Sequence, residues 1–231
     1  MIAQLLRSQY GMNIDNNYVH RILLLRGLAM EDPKKKKRRK PWVRYERHHS
    51  LSAVHMDWTQ LTSSGIWTCA VLDDASRMIL AMIETPHATA QASVALLDEA
   101  RRAYEHIGPI QSVIVDHGVQ FYANKRDKNG NANHMFEQYC ESKNIKLILC
   151  KYHHPQSNGK IERFFQTYKK YRFDFASLDE FVYWYNSVRP HMSLDLDHME
   201  TPEKAFYRKA QDIILGNFMR LIENENKEEV L

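Results

Sequence analysis

Apolar and polar residues alternate with a period of two from Val54 to Thr59. Val54, Met56 and Trp58 fall on one side, and His55, Asp57 and Thr59 on the other. That is the pattern of a half-buried strand. Ser63, Ser64 and Gly65 mark a turn, and IWTCAVL (66–72) and RMILAMIE (77–84) read as the next two strands. Short links between three strands predict an antiparallel meander. The period then lengthens. Over 89–105, Val94, Leu97, Ala100 and Tyr104 share one face of a helix. SVIVD (112–116) is a short apolar strand ending on an acid, 123–133 is polar and loop-like, 134–143 is helical, and IKLILC (145–150) is a further strand. A loop with Pro155, Ser157, Asn158 and Gly159 then leads into a helix that Asn158 can cap. Ile161, Phe164, Phe165, Tyr168 and Tyr171 form its apolar stripe. The order is three strands, helix, strand, helix, strand, helix. It predicts an α/β chain with a mixed five-stranded sheet flanked by helices.

The ends of the chain are helical. Ile2, Leu5 and Leu6 share a face, with Gly11 as a stop. Asp15 or Asn16 can cap a second helix with Val19, Ile22 and Leu23 on one face, His20 and Arg21 outward, and Gly27 as a stop. The pair suits the last two helices of a helix-turn-helix unit or, equally, a plain helical hairpin. Further on, Ser177–Glu180 is a capping box opening a helix with Phe181, Trp184, Tyr185 and Val188 on one face. Thr201-Pro202-Glu203 starts another, with a charged tail beyond. The expected organisation is a helical segment at 1–30, a linker at 31–50, a folded core at 51–191 and a helical extension at 192–231.

Charge adds a local feature. The net charge of the 231 residues is +4. Residues 34–47, KKKKRRKPWVRYER, hold nine basic residues and one acid, while the remainder has 23 basic and 27 acidic residues. Such a run is a solvated linker, a localisation signal, or a segment that neutralises nucleic-acid phosphates. Cys69, Cys140 and Cys150 are widely spaced, which argues for buried free thiols over a disulfide framework or a zinc finger. No apolar run approaches the roughly 18 residues of a bilayer span, and no signal-peptide pattern opens the chain. A soluble intracellular protein with no membrane partner is expected.

Three acids stand out against this layout. Asp57 lies on the first strand, opposite Val54, Met56 and Trp58. Asp116 ends an apolar strand just before His117-Gly118, and ligands gather at the carboxyl ends of strands in such sheets. Glu162 sits near the edge of the apolar stripe, where its helix would meet the sheet. Each has an ordinary alternative: an Asp shaping a turn, or a surface Glu offsetting Lys160 and Arg163. Asp73 and Asp74 read as turn residues rather than metal ligands.

The blocks HMDWTQ (55–60), VDHGVQF (115–121) and YHHPQSNGKIERFFQTYK (152–169) resemble the three acidic blocks of DDE-type transposases. The resemblance is to insertion-sequence enzymes with a retroviral-integrase-like catalytic core of the ribonuclease H-like superfamily. VLDDASR (71–77) and the YNSVRPHMSL and TPEKAF segments within 185–206 resemble stretches found there too, so the likeness covers about residues 45–206. It implies a ribonuclease H-like fold and a polynucleotidyl transferase that cleaves DNA strands and transfers them. The implied triad is Asp57, Asp116 and Glu162, binding two Mg²⁺ or Mn²⁺ ions. Hard carboxylate oxygens suit such ions, and two ions about 3.5–4 Å apart can clamp the attacking and leaving oxygens of an in-line displacement. The implied partners are double-stranded DNA, as element ends and as target, and further copies of the chain in a homo-oligomer at the nucleoid.

Metals also explain why one carboxylate, Glu162, sits on a basic helix face, because bound cations invert the local charge. Lys160, Arg163, Lys169 and Lys170 are then expected to hold the DNA backbone, with Asn158 and His154 close by and Lys36, Lys37, Arg38 and Arg39 acting from the linker. His153 and His154 read equally well as routine loop histidines. The 45 residues between Asp116 and Glu162 exceed the family pattern, and the polar stretch 123–133 accommodates the excess. Two rival readings are another ribonuclease H-like nuclease and an inactive or domesticated relative that only binds DNA.

Overall fold

The computed structural model describes residues 2–30, 47–62, 64–123, 133–150, 158–210 and 215. Five strands form one mixed sheet: β1 (Val54–Gln60), β2 (Trp67–Asp73), β3 (Ile79–Thr85), β4 (Ser112–Val115) and β5 (Lys146–Leu149). Their order across the sheet is β3-β2-β1-β4-β5. The meander pairs β1 with β2 and β2 with β3 antiparallel, while β1–β4 and β4–β5 are parallel. The parallel pairs are reached through helices α3 (Ala90–Ala103) and α4 (Met135–Ser142), as crossover connections require. The expected α/β fold with a mixed five-stranded sheet is therefore observed.

Both faces of this sheet are covered. On one, Val54, Met56, Cys69, Val71, Val113 and Val115 pack with Leu96, Leu97, Phe136 and Cys140 of α3 and α4. On the other, Ala70 and Leu72 pack with Ile161, Phe164, Phe165 and Tyr168 of α5 (Gly159–Tyr171) and with Phe181 of α6 (Leu178–Tyr183). The alternating members of β2 thus go to opposite cores. β1 was expected to be half-buried, but as a central strand it is covered on both sides, and His55 is only 2% exposed. Cys69 and Cys140 are buried free thiols as expected, whereas Cys150 is half-buried.

Local signals hold in most places. Asp15 caps α2 (Asn16–Leu25) by accepting from the Asn17 amide, and Gly11 and Gly27 take left-handed φ angles of 65° and 67° after α1 (Ile2–Tyr10) and α2. The apolar faces of these two helices stay largely open: Ile22 is 41% and Leu25 80% exposed, and only Ala3 of the pair is buried. β3 begins at Ile79 rather than at Arg77, because Arg77 lies in the turn with a φ of 68°.

The capping box forms at Ser177, which accepts from the Glu180 amide, but α6 does not continue regularly through Val188. A π-helical turn over Trp184–Val188 closes with the Arg189 amide bonded to the Trp184 carbonyl, 2.8 Å. The wider turn shifts the helical phase. Tyr185 stays buried while Val188, expected on the same face, is 52% exposed. Residues 202–210 are helical and carry Phe206 and Ala210 into the same core as α3 and α4. No described helix is long and apolar enough to cross a membrane.

A polar clamp holds the far end of α5. Tyr168 Oη donates to Glu84 Oε1 at 2.6 Å, Arg172 Nε meets the same oxygen at 2.7 Å, and Tyr168 Oη also lies 2.7 Å from Thr68 Oγ1. Burial raises the Glu84 carboxyl, but the hydrogen bonds from Arg172 and Tyr168 outweigh it and hold it below the usual range. A depressed carboxyl contributes stability above its unfolded pKa and loses it as pH falls through the folded value. Glu84→Gln is expected to cost about 1 kcal/mol at pH 7 after allowance for solvent screening, lowering the melting midpoint by about 2–4 °C. Thermal unfolding across pH should show the gap to wild type closing below about pH 4.

Candidate active site

Strand parity brings two of the three acids together. Val54 and Met56 face the α3–α4 side, so His55 and Asp57 face α5. Val113 and Val115 face the α3–α4 side too, so Ile114 and then Asp116 also turn toward α5. In the parallel pairing of β1 with β4, Val54 lies opposite Val113 and His55 opposite Ile114. Asp116 is the first residue beyond β4, so only an extension of that register would bring it level with Asp57. Glu162 comes from the first turn of α5 and is exposed.

The electrostatics report the same gathering. The Asp57 carboxyl is pushed up to about 7, first by burial and then by the charge of Asp116, with a smaller push from Glu162. Two hydrogen bonds oppose the shift. The Trp58 amide donates to Asp57 Oδ1 at 2.7 Å, and Asn158 Nδ2 donates to Asp57 Oδ2 at 2.9 Å. Asn158 was expected to cap α5, but it makes no side-chain cap bond and reaches across to Asp57 instead. Its Oδ1 is buried and without a hydrogen-bond partner.

Asp116 Oδ1 accepts from the Gly118 amide at 2.8 Å. A Cβ at Gly118 would lie 2.8 Å from that same oxygen and 2.8 Å from Gln120 Oε1. Glycine at 118 is what lets the Asp116 carboxylate fold back over the turn. The sequence signal for this was Asp116-His117-Gly118, read there only as a turn.

The three acids share a field without closing into a ligand set. Among the described residues no three His, Cys, Asp or Glu side chains converge closely enough to hold an ion. Asp57 and Asp116 are each turned onto N–H donors instead. The donor chemistry nonetheless fits a hard divalent cation. Asp57, Asp116 and Glu162 carry hard oxygen donors, and the repulsion from Asp116 that adds to the effect of burial on Asp57 is what a cation would reverse. The orphaned Asn158 Oδ1 adds a further hard oxygen beside Asp57.

The basic residues divide. Arg163, Lys169 and Lys170 are exposed on the same helix as Glu162, with Lys170 Nζ 4.8 Å from the centre of the Tyr171 ring. Lys160 turns the other way, its Nζ 2.6 Å from Asp74 Oδ1 and its side chain only 16% exposed. Asp74 lies in the expected turn, and its side chain is a buried charge centre. It also accepts from His55 Nε2 at 2.7 Å and from the Arg47 amide at 2.9 Å. Asp73 does shape the turn, accepting from the Ser76 amide and hydroxyl. His154, Lys36, Lys37, Arg38 and Arg39 lie outside the described residues.

Residues 47–155 match the model of a family described as Integrase core domain, and residues 143–197 match a second model of the same description. The first span contains Asp57 and Asp116, and the second contains Glu162. This chain carries an integrase core.

A curated relative from Spiroplasma virus SpV1-C74, described as "Putative integrase ORF3", is 30% identical over 142 residues, which cover 54% of this chain and 38% of the relative. The match thus spans well under half of that protein's length. Among solved structures, the catalytic core domain of BIV integrase superposes with a TM-score of 0.53 at 17% identity, covering 70% of this chain and 97% of that one. A chain of the simian T-cell lymphotropic virus intasome, solved with the PP2A regulatory subunit B56 gamma, superposes with a TM-score of 0.54 at 14% identity, covering 88% and 74% respectively. At these identities the structural likeness speaks for the fold alone: a mixed five-stranded sheet with helices on both sides.

Gly118→Ala is expected to displace the Asp116 carboxylate while leaving the buried core intact. Circular dichroism and thermal unfolding should match wild type closely. Mn²⁺-dependent plasmid nicking should fall by about 10-fold or more, as for a misplaced supporting group.

Proposed function

We propose that this integrase core is a polynucleotidyl transferase of the DDE type, cutting DNA strands and joining them to target DNA. The reading rests on one observation above the rest. The Asp57 carboxyl is raised first by burial, then by the charge of Asp116, with a smaller push from Glu162. A carboxyl raised by burial and by neighbouring acids is a candidate for serving a cation.

In this reading Asp57, Asp116 and Glu162 hold two Mg²⁺ or Mn²⁺ ions, which supply charge stabilisation at the attacking and leaving oxygens of a phosphodiester. Asn158 orients the Asp57 carboxylate through its amide. The Gly118 amide does the same for Asp116. Arg163, Lys169 and Lys170 line the DNA backbone along the exposed face of α5. Lys36, Lys37, Arg38 and Arg39 add phosphate contacts from the linker at 31–50, and His154 lies near the DNA. Residues 1–30 serve as a helical DNA-binding segment, 51–191 as the catalytic core and 192–231 as a helical extension. Two DNA ends must be brought together for transfer, which supports a homo-oligomer working on DNA at the nucleoid.

A relative that binds DNA without cutting it is the rival reading, and the open spacing of the three acids is what favours it. Supercoiled plasmid incubated with Mn²⁺ separates the two. Wild type is expected to nick, and Asp116→Asn to lose about 100-fold or more of that activity. DNA bound by wild type with no nicking would favour the rival. For the rail, Lys169→Ala should weaken DNA binding and reduce the slope of log affinity against log salt by about 1. An unchanged slope would remove Lys169 from the contact.

A further inference from the structure

The buried centre at Asp74 has no part in the proposed function as stated. Asp74 is 1% exposed and follows directly on β2. Its side chain and backbone join segments that are far apart in the chain. Oδ1 meets His55 Nε2 at 2.7 Å and Lys160 Nζ at 2.6 Å, Oδ2 accepts from the Arg47 amide at 2.9 Å, and the Asp74 amide donates to the Ala53 carbonyl at 3.0 Å. His55 lies two residues before Asp57 on β1. Lys160 lies two residues before Glu162 and two after Asn158 in the first turn of α5. One carboxylate therefore ties the strand that carries Asp57 to the helix turn that carries Glu162.

Three physical points say that this tie sets position. First, a lysine in the first turn of a helix is opposed by the helix dipole, so its place there depends on a fixed anion. Second, Asn158 leaves the α5 terminus without a side-chain cap, and the apolar stripe of Ile161, Phe164, Phe165 and Tyr168 anchors the helix further along. Third, a buried ion pair adds little net stability over an apolar pair, while it does constrain geometry. Burial alone would raise the Asp74 carboxyl, but the His55 hydrogen bond and the Lys160 charge hold it well below its usual range. Being ionised, it can only accept, so His55 Nε2 carries the proton of that bond.

We infer that Asp74, acting through Lys160, is a positioning residue that fixes the first turn of α5 against β1 and so sets Glu162 and Asn158 to face Asp57. The inference rests on the proposed function, since it concerns the geometry of the same three acids.

Mn²⁺ binding to the full chain, followed by the loss of the free-ion electron paramagnetic resonance signal, tests it. Coulomb's law alone makes Lys160→Met bind Mn²⁺ more tightly, because a positive charge near Glu162 is removed. Positioning gives the opposite sign, a loss of about 10- to 100-fold. Because Lys160→Met leaves the buried Asp74 carboxylate without the Lys160 charge, the double variant Asp74→Asn/Lys160→Met is measured beside it. That variant is expected to melt near wild type and still bind Mn²⁺ about 10-fold or more weakly, and the two losses should not add. The salt slope of DNA binding should be unchanged in Lys160→Met.

Mn²⁺ affinity at or above wild type in the folded double variant overturns the inference. So does a Lys160→Met salt slope that falls by about 1 with Mn²⁺ affinity intact, the behaviour of a phosphate contact. Asp116→Asn keeps the two ideas apart. If it binds Mn²⁺ as wild type does, the metal-site reading falls. If it loses binding while Lys160→Met does not, only the role of Asp74 and Lys160 falls.

Discussion

The contact on which the rest of the molecule depends is α5 lying across the sheet. Ile161, Phe164, Phe165 and Tyr168 press onto Ala70, Leu72 and Ile79, and Phe181 and Tyr185 back them. Phe164 alone touches the rings of Phe165, Tyr168, Phe181 and Tyr185. Burying large apolar side chains is worth about 1.5–3 kcal/mol each, enough to seat a helix whose other face is basic and exposed. Once seated, the helix turns a face of β1 that would otherwise meet water into an interior. His55 then needs a partner, Asp57 is partly stripped of solvent, and Glu162 is brought to the edge of the same space.

The electrostatic arrangement follows from that packing. Asp57 lies within β1 and Asp116 just past the end of the parallel strand β4, and each is held by N–H donors close at hand. A lysine is present near them but is committed elsewhere, its charge neutralised on Asp74. The exposed cations, Arg163, Lys169 and Lys170, point along the outer face of α5. Glu162 and these cations share the exposed side of one helix, while Lys160 alone of its basic residues turns inward.

The likeness to known integrases is one of topology more than of residues, at 17% and 14% identity for two solved chains. Strand order, the two parallel pairings and helices on both faces are what they share. The family match ends at residue 197, yet the hydrophobic core continues to Phe206 and Ala210. Ser50 Oγ donates to the Phe206 carbonyl at 2.9 Å, and Lys209 Nζ to the Ala75 carbonyl at 2.6 Å. The stretch at 202–210, set apart by sequence as an extension, is packed as part of the same body.

Period and punctuation made the elements legible. Alternation at Val54–Thr59, the stripe from Ile161 to Tyr171, the glycine stops at 11 and 27 and the cap at Ser177 are local properties, set by a few neighbouring residues and the geometry of strand and helix. The candidate acids were legible for the same reason, since each sits at a fixed place in a short block. Local pattern does not carry what covers the second face of a strand, so His55 read as solvent-facing and Asp74 only as a turn residue. Nor does it carry the phase change at the π turn that exposes Val188. Whether Lys160 points to DNA or inward is decided by a carboxylate 86 positions away in the chain. The sequence by itself determined the elements, their order and the acids, because those depend on neighbours in the chain. The tertiary structure alone decided which charges are paired and which remain open, because burial and ion pairing depend on residues brought together only by folding.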